Sequence, residues 1–166
     1  MLRYFNAAGA HPEGDLPERH DPETHLIPLA IDAATGQGAP LSILGTDYPT
    51  ADGTCERDFI HVCDLAAAHV QALRHLNAGN TSLTLNLGTG KATSVRRVVA
   101  AVERITGRAV PLVHAVRRPG DPPMLVADAS LARKLIDFTP RLSELDTIVT
   151  TAWKARVKAA RPAAVS

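Results

Sequence analysis

The sequence predicts an α/β fold, and two observations carry this prediction. Short apolar segments typical of strands, such as residues 41–44 and 83–87, alternate with longer segments whose apolar residues recur at helical spacing. The chain of 166 residues, 45% of them hydrophobic, is also long enough to bury a core. Because the strands are few and short, we expect a mixed α/β domain rather than a complete doubly wound sheet.

The first half of the chain predicts three strands and one helix. Residues 2–5 predict a strand, and the following residues up to 23, rich in Gly, Pro and charged side chains, predict a long irregular loop. Capping residues and an early proline then predict a helix that ends at Gly36. A strand over 41–44, a turn-rich loop over 47–53 and an alternating strand over 57–62 follow.

The second half predicts four helices and two strands. Asp64 is placed to cap a helix that runs to about Leu76, and a strand over 83–87 leads into a turn. Thr93 or Ser94 caps an amphipathic helix that Gly107 ends. The remaining elements are a strand over 110–116, an irregular loop over 117–123, a helix over 130–136 capped by Ser130, and a helix that includes 145–153. We expect a folded portion over residues 1–157 and a frayed Ala/Pro-rich tail over 158–166.

Composition excludes several classes of function. The formal net charge of +1 argues against a nucleic-acid binder. No apolar run approaches the roughly 20 residues that span a bilayer, and the N-terminus lacks the order of a signal peptide, so we expect no membrane partner. The two cysteines cannot form a disulfide framework, which favours a reducing cytoplasm.

Two local patterns are rejected as sites. Gly88-Thr89-Gly90-Lys91 is followed by Ala92, so it lacks the Ser/Thr of a phosphate-binding P-loop and predicts a strand-to-helix turn instead. Cys55, His61 and Cys63 have a spacing that matches no standard zinc pair. We therefore expect no metal site.

Six ordered motifs give the chain its strongest signal. They are LRYFNAAGAH (2–11), ETHLIP (23–28), GTDYPTADGTC (45–55), RDFIHV (57–62), NLGTG (86–90) and RPGD (118–121). Their polar residues each have an ordinary explanation when taken alone; Arg57 beside Asp58, for example, could be a surface ion pair worth about 0–1 kcal/mol. Taken in order and at this spacing, the motifs resemble UDP-glucose 4-epimerases, a family of extended short-chain dehydrogenase/reductases, from residue 2 to about residue 156.

The resemblance implies a clamp for a UDP-sugar. The residues it assigns to substrate binding are Asn6, Thr24, His25, Leu26, Thr46, Asp47, Tyr48, Arg57, Arg118 and Asp121. In the family, the two arginines hold the diphosphate and the aspartate accepts from a ribose hydroxyl, while residues 46–48 border the uracil. Arginine forks suit a diphosphate, and a helix start near residue 25 is a natural anion site. Leu125 lies where family members vary a gate for N-acetylated sugars, so that specificity is left open.

The resemblance also implies a fold and a reaction that this chain only partly contains. The fold is an incomplete extended short-chain dehydrogenase/reductase fold: the last strand or strands of a Rossmann sheet plus a C-terminal mixed α/β substrate-binding domain. The family is an isomerase family that oxidises the 4-hydroxyl of the sugar with NAD and returns the hydride to the opposite face. Its base is a Tyr in a Tyr-x-x-x-Lys pair, but Tyr4 and Tyr48 are followed four positions on by Ala8 and Asp52. The Gly-rich NAD loop is absent as well.

We therefore expect the C-terminal half of an epimerase, with no catalytic residue of its own and with Phe5 as its contact to NAD. A separate N-terminal half is an expected partner. Full-length members form homodimers through helices that this chain lacks, so the resemblance does not extend to a dimer here. Two alternatives stay open: a non-catalytic UDP-sugar-binding module, and part of an enzyme acting on another UDP- or dTDP-sugar.

Overall fold

The computed structural model describes residues 1–160. Within them lie nine strands: β1 (Leu2–Tyr4), β2 (Asn6–Ala8), β3 (Leu41–Leu44), β4 (Glu56–Arg57), β5 (Phe59–His61), β6 (Leu85–Leu87), β7 (Thr93–Ser94), β8 (Leu112–Ala115) and β9 (Met124–Leu125). Five helices accompany them: α1 (Leu26–Thr35), α2 (Val62–Asn77), α3 (Val95–Thr106), α4 (Ser130–Ile136) and α5 (Leu145–Ala159). This is the mixed α/β fold that the sequence predicts.

The strands form small, mostly parallel sheets. The pairs β1–β6, β2–β5 and β3–β8 are parallel, and β4 lies between antiparallel β7 and parallel β9. Parallel pairing requires crossover connections, which the helices supply. The order of the elements therefore brings residues far apart in sequence, such as Arg57 and Leu125, side by side.

Strand β5 separates two hydrophobic cores. Phe59 packs into a core built mainly by α1, α3 and α5, whereas its neighbour Ile60 packs into a core of α2, β6 and α4. Successive side chains of a strand point to opposite faces, so these two residues reach opposite sides. Strand β2 pairs with β5 in register, Asn6 opposite Phe59, and so lies at the same boundary.

The ends of two helices show how well capping signals predict boundaries. Ser94 caps α3 by accepting from the Arg97 amide at 3.2 Å, and Gly107 ends it in the left-handed conformation, so both predictions are confirmed. The prediction that Asp64 caps α2 is wrong. His61 is the cap, and its Nδ1 accepts from the Cys63 amide at 3.1 Å. Asp64 instead accepts from the amides of Arg141 and Leu142, each at 2.9 Å.

A second buried carboxylate, Asp58, ties three segments together. It is fully buried, and its oxygens accept from the amides of Thr89 and Gly90, both at 2.9 Å, and of Ala127 at 3.2 Å. The turn at 88–90 thus binds an anion, as a phosphate loop would, but the anion belongs to the chain itself. The ion pair with Arg57 considered above is not formed: Arg57 pairs with Asp121 instead, because successive side chains of an extended segment point to opposite faces.

The C-terminal helix α5 extends to Ala159 and so includes the first residues of the segment predicted as a frayed tail. The rest of that tail, residues 161–166, lies outside the described residues. Among residues 1–160, no helix combines the length and apolar character needed to cross a membrane.

His61 gives the stability of the fold a dependence on pH. The ring is fully buried, and since Nδ1 accepts from the Cys63 amide, Nε2 carries the proton and donates to Thr151 Oγ1 at 3.0 Å. Burial lowers the pKa of His61 below 6.5, against the opposing effect of the Asp64 charge. Protons therefore bind the unfolded chain more readily, and stability is lost as the pH falls below about 6.5.

We expect the free energy of unfolding in urea to fall between pH 7.5 and 5.5, with a slope from this residue of at most about 1.4 kcal/mol per pH unit. The same measurement on His61→Gln should show a flatter profile, while His114→Gln, at an exposed position, should retain the parent slope. Equal slopes for all three proteins would contradict the assignment.

Candidate functional site

One cleft, with a volume of about 860 Å³, dominates the surface that residues 1–160 form. Its walls are the segment from Tyr4 to Ala8, the start of α1, the length of β3, strand β4 with Arg57, and the loop that carries Arg118. Clefts of about 300–1,000 Å³ are typical of small-molecule sites.

The cleft brings together most of the residues predicted from sequence. Those that line it are Phe5, Asn6, Thr24, His25, Leu26, Arg57, Arg118 and Asp121. Three predicted residues, Thr46, Asp47 and Tyr48, do not line it. The backbone of β3 and Gly45, which the sequence analysis did not select, lies in their place.

Arg57 is held rigidly at the cleft. Its Nη1 donates to the carbonyl of Pro122 at 3.0 Å and to that of Glu56 at 2.7 Å, and its Nη2 forms an ion pair with Asp121. The side chain is only 13% exposed. Backbone carbonyls therefore fix the fork of this arginine even if another anion takes the place of Asp121.

Arg118 reaches the same cleft from a tight turn. The Asp121 amide donates to the Arg118 carbonyl at 3.2 Å, and Gly120 adopts a φ of +78° that disfavours other residues there. The turn places Arg118 and Asp121 on one short loop. Arg118 is exposed, and within residues 1–160 it forms no salt bridge. The cleft thus contains two arginines: Arg57, which is paired with the Asp121 carboxylate, and Arg118, which is not paired with a carboxylate of residues 1–160.

The amides just before α1 are not all available to a ligand. Glu23 Oε1 accepts from the amides of Thr24 at 2.7 Å and His25 at 2.8 Å. Burial acts to raise the pKa of Glu23, but these backbone hydrogen bonds outweigh it and bring the pKa below its usual value. The predicted anion site at residues 24–26 is therefore partly satisfied by the chain's own carboxylate.

Asn6 is oriented by the backbone next to the buried Asp58. Both its main-chain amide, at 3.2 Å, and its side-chain Nδ2, at 2.9 Å, donate to the Asp58 carbonyl. This leaves the side-chain oxygen of Asn6 to act as the acceptor at the cleft wall.

Strand β3 offers backbone groups rather than side chains. The amides of Leu41 and Gly45 donate towards β8, to Pro111 at 2.8 Å and Ala115 at 2.9 Å. Amides alternate in direction along a strand, so those of Ser42 and Leu44 point away from β8, and no other strand of residues 1–160 pairs with β3. Both residues line the cleft, so this strand edge can bind a planar group with donors and acceptors at its rim.

The segment 46–48 supports the cleft from outside. Asp47 Oδ1 accepts from Arg117 Nε at 2.7 Å, and the Arg117 guanidinium lies 4.4 Å from the centre of the Tyr48 ring. The hydrogen bond from Arg117 is the main cause that lowers the pKa of Asp47. Gly45 makes this packing possible, because a Cβ there would lie 2.6 Å from Arg117 Cγ. The contacts fix the residue that precedes Arg118.

Comparison with known proteins gives consistent matches. The profile of the NAD dependent epimerase/dehydratase family matches residues 1–88. A UDP-glucose 4-epimerase of Rhizobium leguminosarum bv. trifolii is 49% identical over 153 residues, which are 92% of this chain and 46% of the relative. The chain therefore spans about half the length of the curated relatives it matches.

Solved structures agree in fold as well as in sequence. The UDP-glucose 4-epimerase from Brucella ovis, in complex with NAD, superposes with a TM-score of 0.89 at 54% identity, over 92% of this chain and 47% of that one. The enzyme from Bifidobacterium longum, in complex with NAD+ and UDP, superposes with a TM-score of 0.86 at 36% identity, over 95% and 47%. The predicted resemblance is confirmed.

Proposed function

The chain belongs to the NAD dependent epimerase/dehydratase family, and from this premise we propose that it supplies the UDP-sugar-binding half of a UDP-glucose 4-epimerase. One observation carries the proposal: Arg57 meets Arg118 and Asp121, which come from a distant part of the sequence, on one cleft of a volume suited to a nucleotide sugar. In this proposal the chain binds and orients the substrate, and UDP-glucose and UDP-galactose are the sugars interconverted.

The two arginines are the groups that bind the diphosphate. A guanidinium donates two parallel hydrogen bonds to phosphate oxygens, and each charged hydrogen bond contributes about 1.5–3 kcal/mol. The backbone carbonyls of Glu56 and Pro122 already orient Arg57, so little side-chain entropy is lost when it binds. Asp121 then exchanges part of its contact with Arg57 for a hydrogen bond from a ribose hydroxyl.

The edge of β3 is the proposed site for the uracil. Uracil presents alternating carbonyl and N–H groups at one rim, and the outward backbone groups of Ser42 and Leu44 match such a rim. Residues 46–48, which the resemblance implies for the uracil, do not line the cleft, and Asp47 accepts a hydrogen bond from Arg117. These observations support the edge of β3 as our proposal for the uracil.

The reaction of the family is a hydride exchange between C4 of the sugar and NAD. The residues present do not fit the whole of that cofactor, because the 166-residue sequence has no Gly-rich loop for its pyrophosphate and no Tyr-x-x-x-Lys pair. Phe5, at the cleft wall, is the proposed contact. No chemical step is therefore assigned to a side chain of this chain, and its role is to hold UDP firmly while the sugar turns.

The proposal has consequences for partners and location. The NAD site and the base must come from residues outside this sequence, such as a separate N-terminal half. A non-catalytic UDP-sugar-binding module is the second candidate, favoured by the lack of a base among the 166 residues. A cytoplasmic location is also proposed, since Cys55 and Cys63 are both free thiols.

Binding and turnover separate these candidates. We expect the full chain to bind UDP in a calorimetric titration, but to convert no UDP-galactose to UDP-glucose when NAD alone is added. Adding the N-terminal half of the Rhizobium leguminosarum enzyme should produce turnover. A folded chain that binds no UDP would refute the UDP-binding role. Turnover by the chain alone would refute the proposal that the base and the NAD site come from another polypeptide. UDP binding without turnover after the N-terminal half is added would favour the non-catalytic binding module. Tighter binding of dTDP than of UDP would point to another nucleotide sugar.

A further inference from the structure

Four side chains with metal-binding atoms converge on the loop before α1. One ligand atom each from His20, Glu23 and His25 lies within 4.8 Å of the other two. Glu18 adjoins this group through His25, because its Oε1 lies 2.7 Å from His25 Nδ1, while Glu23 Oε1 lies 3.1 Å from the same nitrogen. The imidazole rings of His20 and His25 are 4.7 Å apart between centroids. We refer to these four residues as the His/Glu cluster.

The cluster concentrates like charges that the chain does not fully compensate. Two carboxylates share one imidazole nitrogen, and both are partly shielded from water, with 27% and 17% of their side chains exposed. A cation with more than one positive charge would relieve this repulsion.

From this geometry we propose that His20, Glu23, His25 and Glu18 bind a divalent transition-metal ion such as Zn²⁺ or Co²⁺. Two imidazole nitrogens and two carboxylate oxygens make a four-ligand set of the kind that zinc accepts in tetrahedral sites, whereas Mg²⁺ and Ca²⁺ prefer oxygen alone. The contacts and charges of the cluster carry this proposal independently of the proposed sugar substrate.

The hydrogen bonds of the cluster are compatible with a bound ion. Glu23 Oε1 is engaged by the amides of Thr24 and His25, but its second oxygen is not. His25 Nδ1 lies within hydrogen-bond distance of both carboxylates, so the three groups face one another across the space that an ion would occupy. Metal ligands must be deprotonated, so metal binding competes with protons and weakens at low pH.

The site has a defined relation to the cleft. Glu18, Glu23 and His25 line the cleft wall, on the side where α1 begins. A bound dication would fix the loop against α1 and add positive charge to a wall that now carries two carboxylates. The cluster escaped prediction because its spacing, two histidines five residues apart with one glutamate between them and one before them, matches no standard zinc motif.

Metal titration of the full chain tests the proposal. We expect one equivalent of Zn²⁺ to bind in calorimetry, with a heat that changes between buffers of different ionisation enthalpy because protons are released. Co²⁺ should give the intense visible absorption of a tetrahedral complex. His20→Gln and Glu23→Gln should each weaken Zn²⁺ binding by at least about tenfold. In Glu23→Gln the amide oxygen can still accept from Thr24 and His25, so the start of α1 is retained.

The control is His114→Gln, which removes an imidazole from exposed strand β8 and should leave Zn²⁺ affinity unchanged. Circular dichroism checks that each variant is folded. Two outcomes of the Zn²⁺ titrations would overturn the proposal: no saturable Zn²⁺ binding by the parent chain, or the same affinity in His20→Gln and Glu23→Gln as in the parent. Weak Co²⁺ absorption typical of octahedral coordination would equally refute the four-ligand site.

Discussion

Asp58→Ala is expected to destabilise the chain by about 3–5 kcal/mol in urea unfolding followed by circular dichroism. The substitution leaves the amides of Thr89, Gly90 and Ala127 without their acceptor in a buried setting. Each unsatisfied buried donor costs about 1–3 kcal/mol, and partial relaxation lowers the sum. The cavity left behind cannot be filled by the neighbouring glycines.

Asp58→Asn tests how much of this stabilisation comes from the negative charge and how much from the number of acceptor oxygens at the same position. The amide keeps one acceptor oxygen but turns an NH₂ group towards donors, so an intermediate loss of stability is expected. Gly88→Ala should also destabilise, because a Cβ there would lie 2.6 Å from Asp58 Oδ2 and 2.5 Å from the Ala127 Cβ. Asp146→Ala, whose exposed pair with Arg104 is screened by water, is the matched control and should change little. If Asp58→Ala lowered the free energy of unfolding as little as this control, Asp58 would not be the residue that holds the three segments together.

The sequence could not reveal this role of Asp58, although it predicted an extended segment over 57–62 that includes it. An aspartate next to an arginine has the pattern of a surface ion pair. Only the alternation of side chains along the extended segment from β4 into β5 sends Asp58 inside and Arg57 to the cleft. The capping of α3 was predictable because Ser94 and Gly107 act locally. The partners of Asp58 and Asp64 come from segments about 30 to 80 residues away, and pairing at that distance leaves no local pattern.

The sequence predicted the parts of the candidate site that side chains form, but not the part that backbone groups form. The ordered motifs identified Asn6, Arg57, Arg118 and Asp121, all of which line the cleft. The edge of β3 was missed, since Ser42 and Leu44 offer main-chain groups that any residue has. The two-residue strands β4, β7 and β9 are too short for a hydrophobic period, yet β4 and β9 place Arg57 beside the loop of Arg118.

Arg57→Ala and Arg118→Ala are expected to lower the affinity for UDP by about 10- to 100-fold each, since a charged hydrogen bond contributes about 1.5–3 kcal/mol and 1.4 kcal/mol corresponds to a factor of ten. The measurement is calorimetric titration with UDP at fixed ionic strength. Arg104→Ala removes the same charge from an exposed site outside the cleft and should leave the affinity unchanged. Equal affinities for all three variants would remove the arginines from the phosphate site.

The loss in Arg57→Ala should exceed that in Arg118→Ala, because the first change also leaves Asp121 without its partner at the anion site. Inorganic pyrophosphate distinguishes the two roles of Asp121, since it has the phosphates of UDP but no ribose. Asp121→Asn removes a negative charge beside an arginine that the Glu56 and Pro122 carbonyls still hold in place. Pyrophosphate should therefore bind this variant more tightly than the parent. The affinity for UDP should increase less than that for pyrophosphate, because UDP also loses the charged hydrogen bond from its ribose. A variant in which pyrophosphate binds more weakly would show that Asp121 positions Arg57 rather than competing for it.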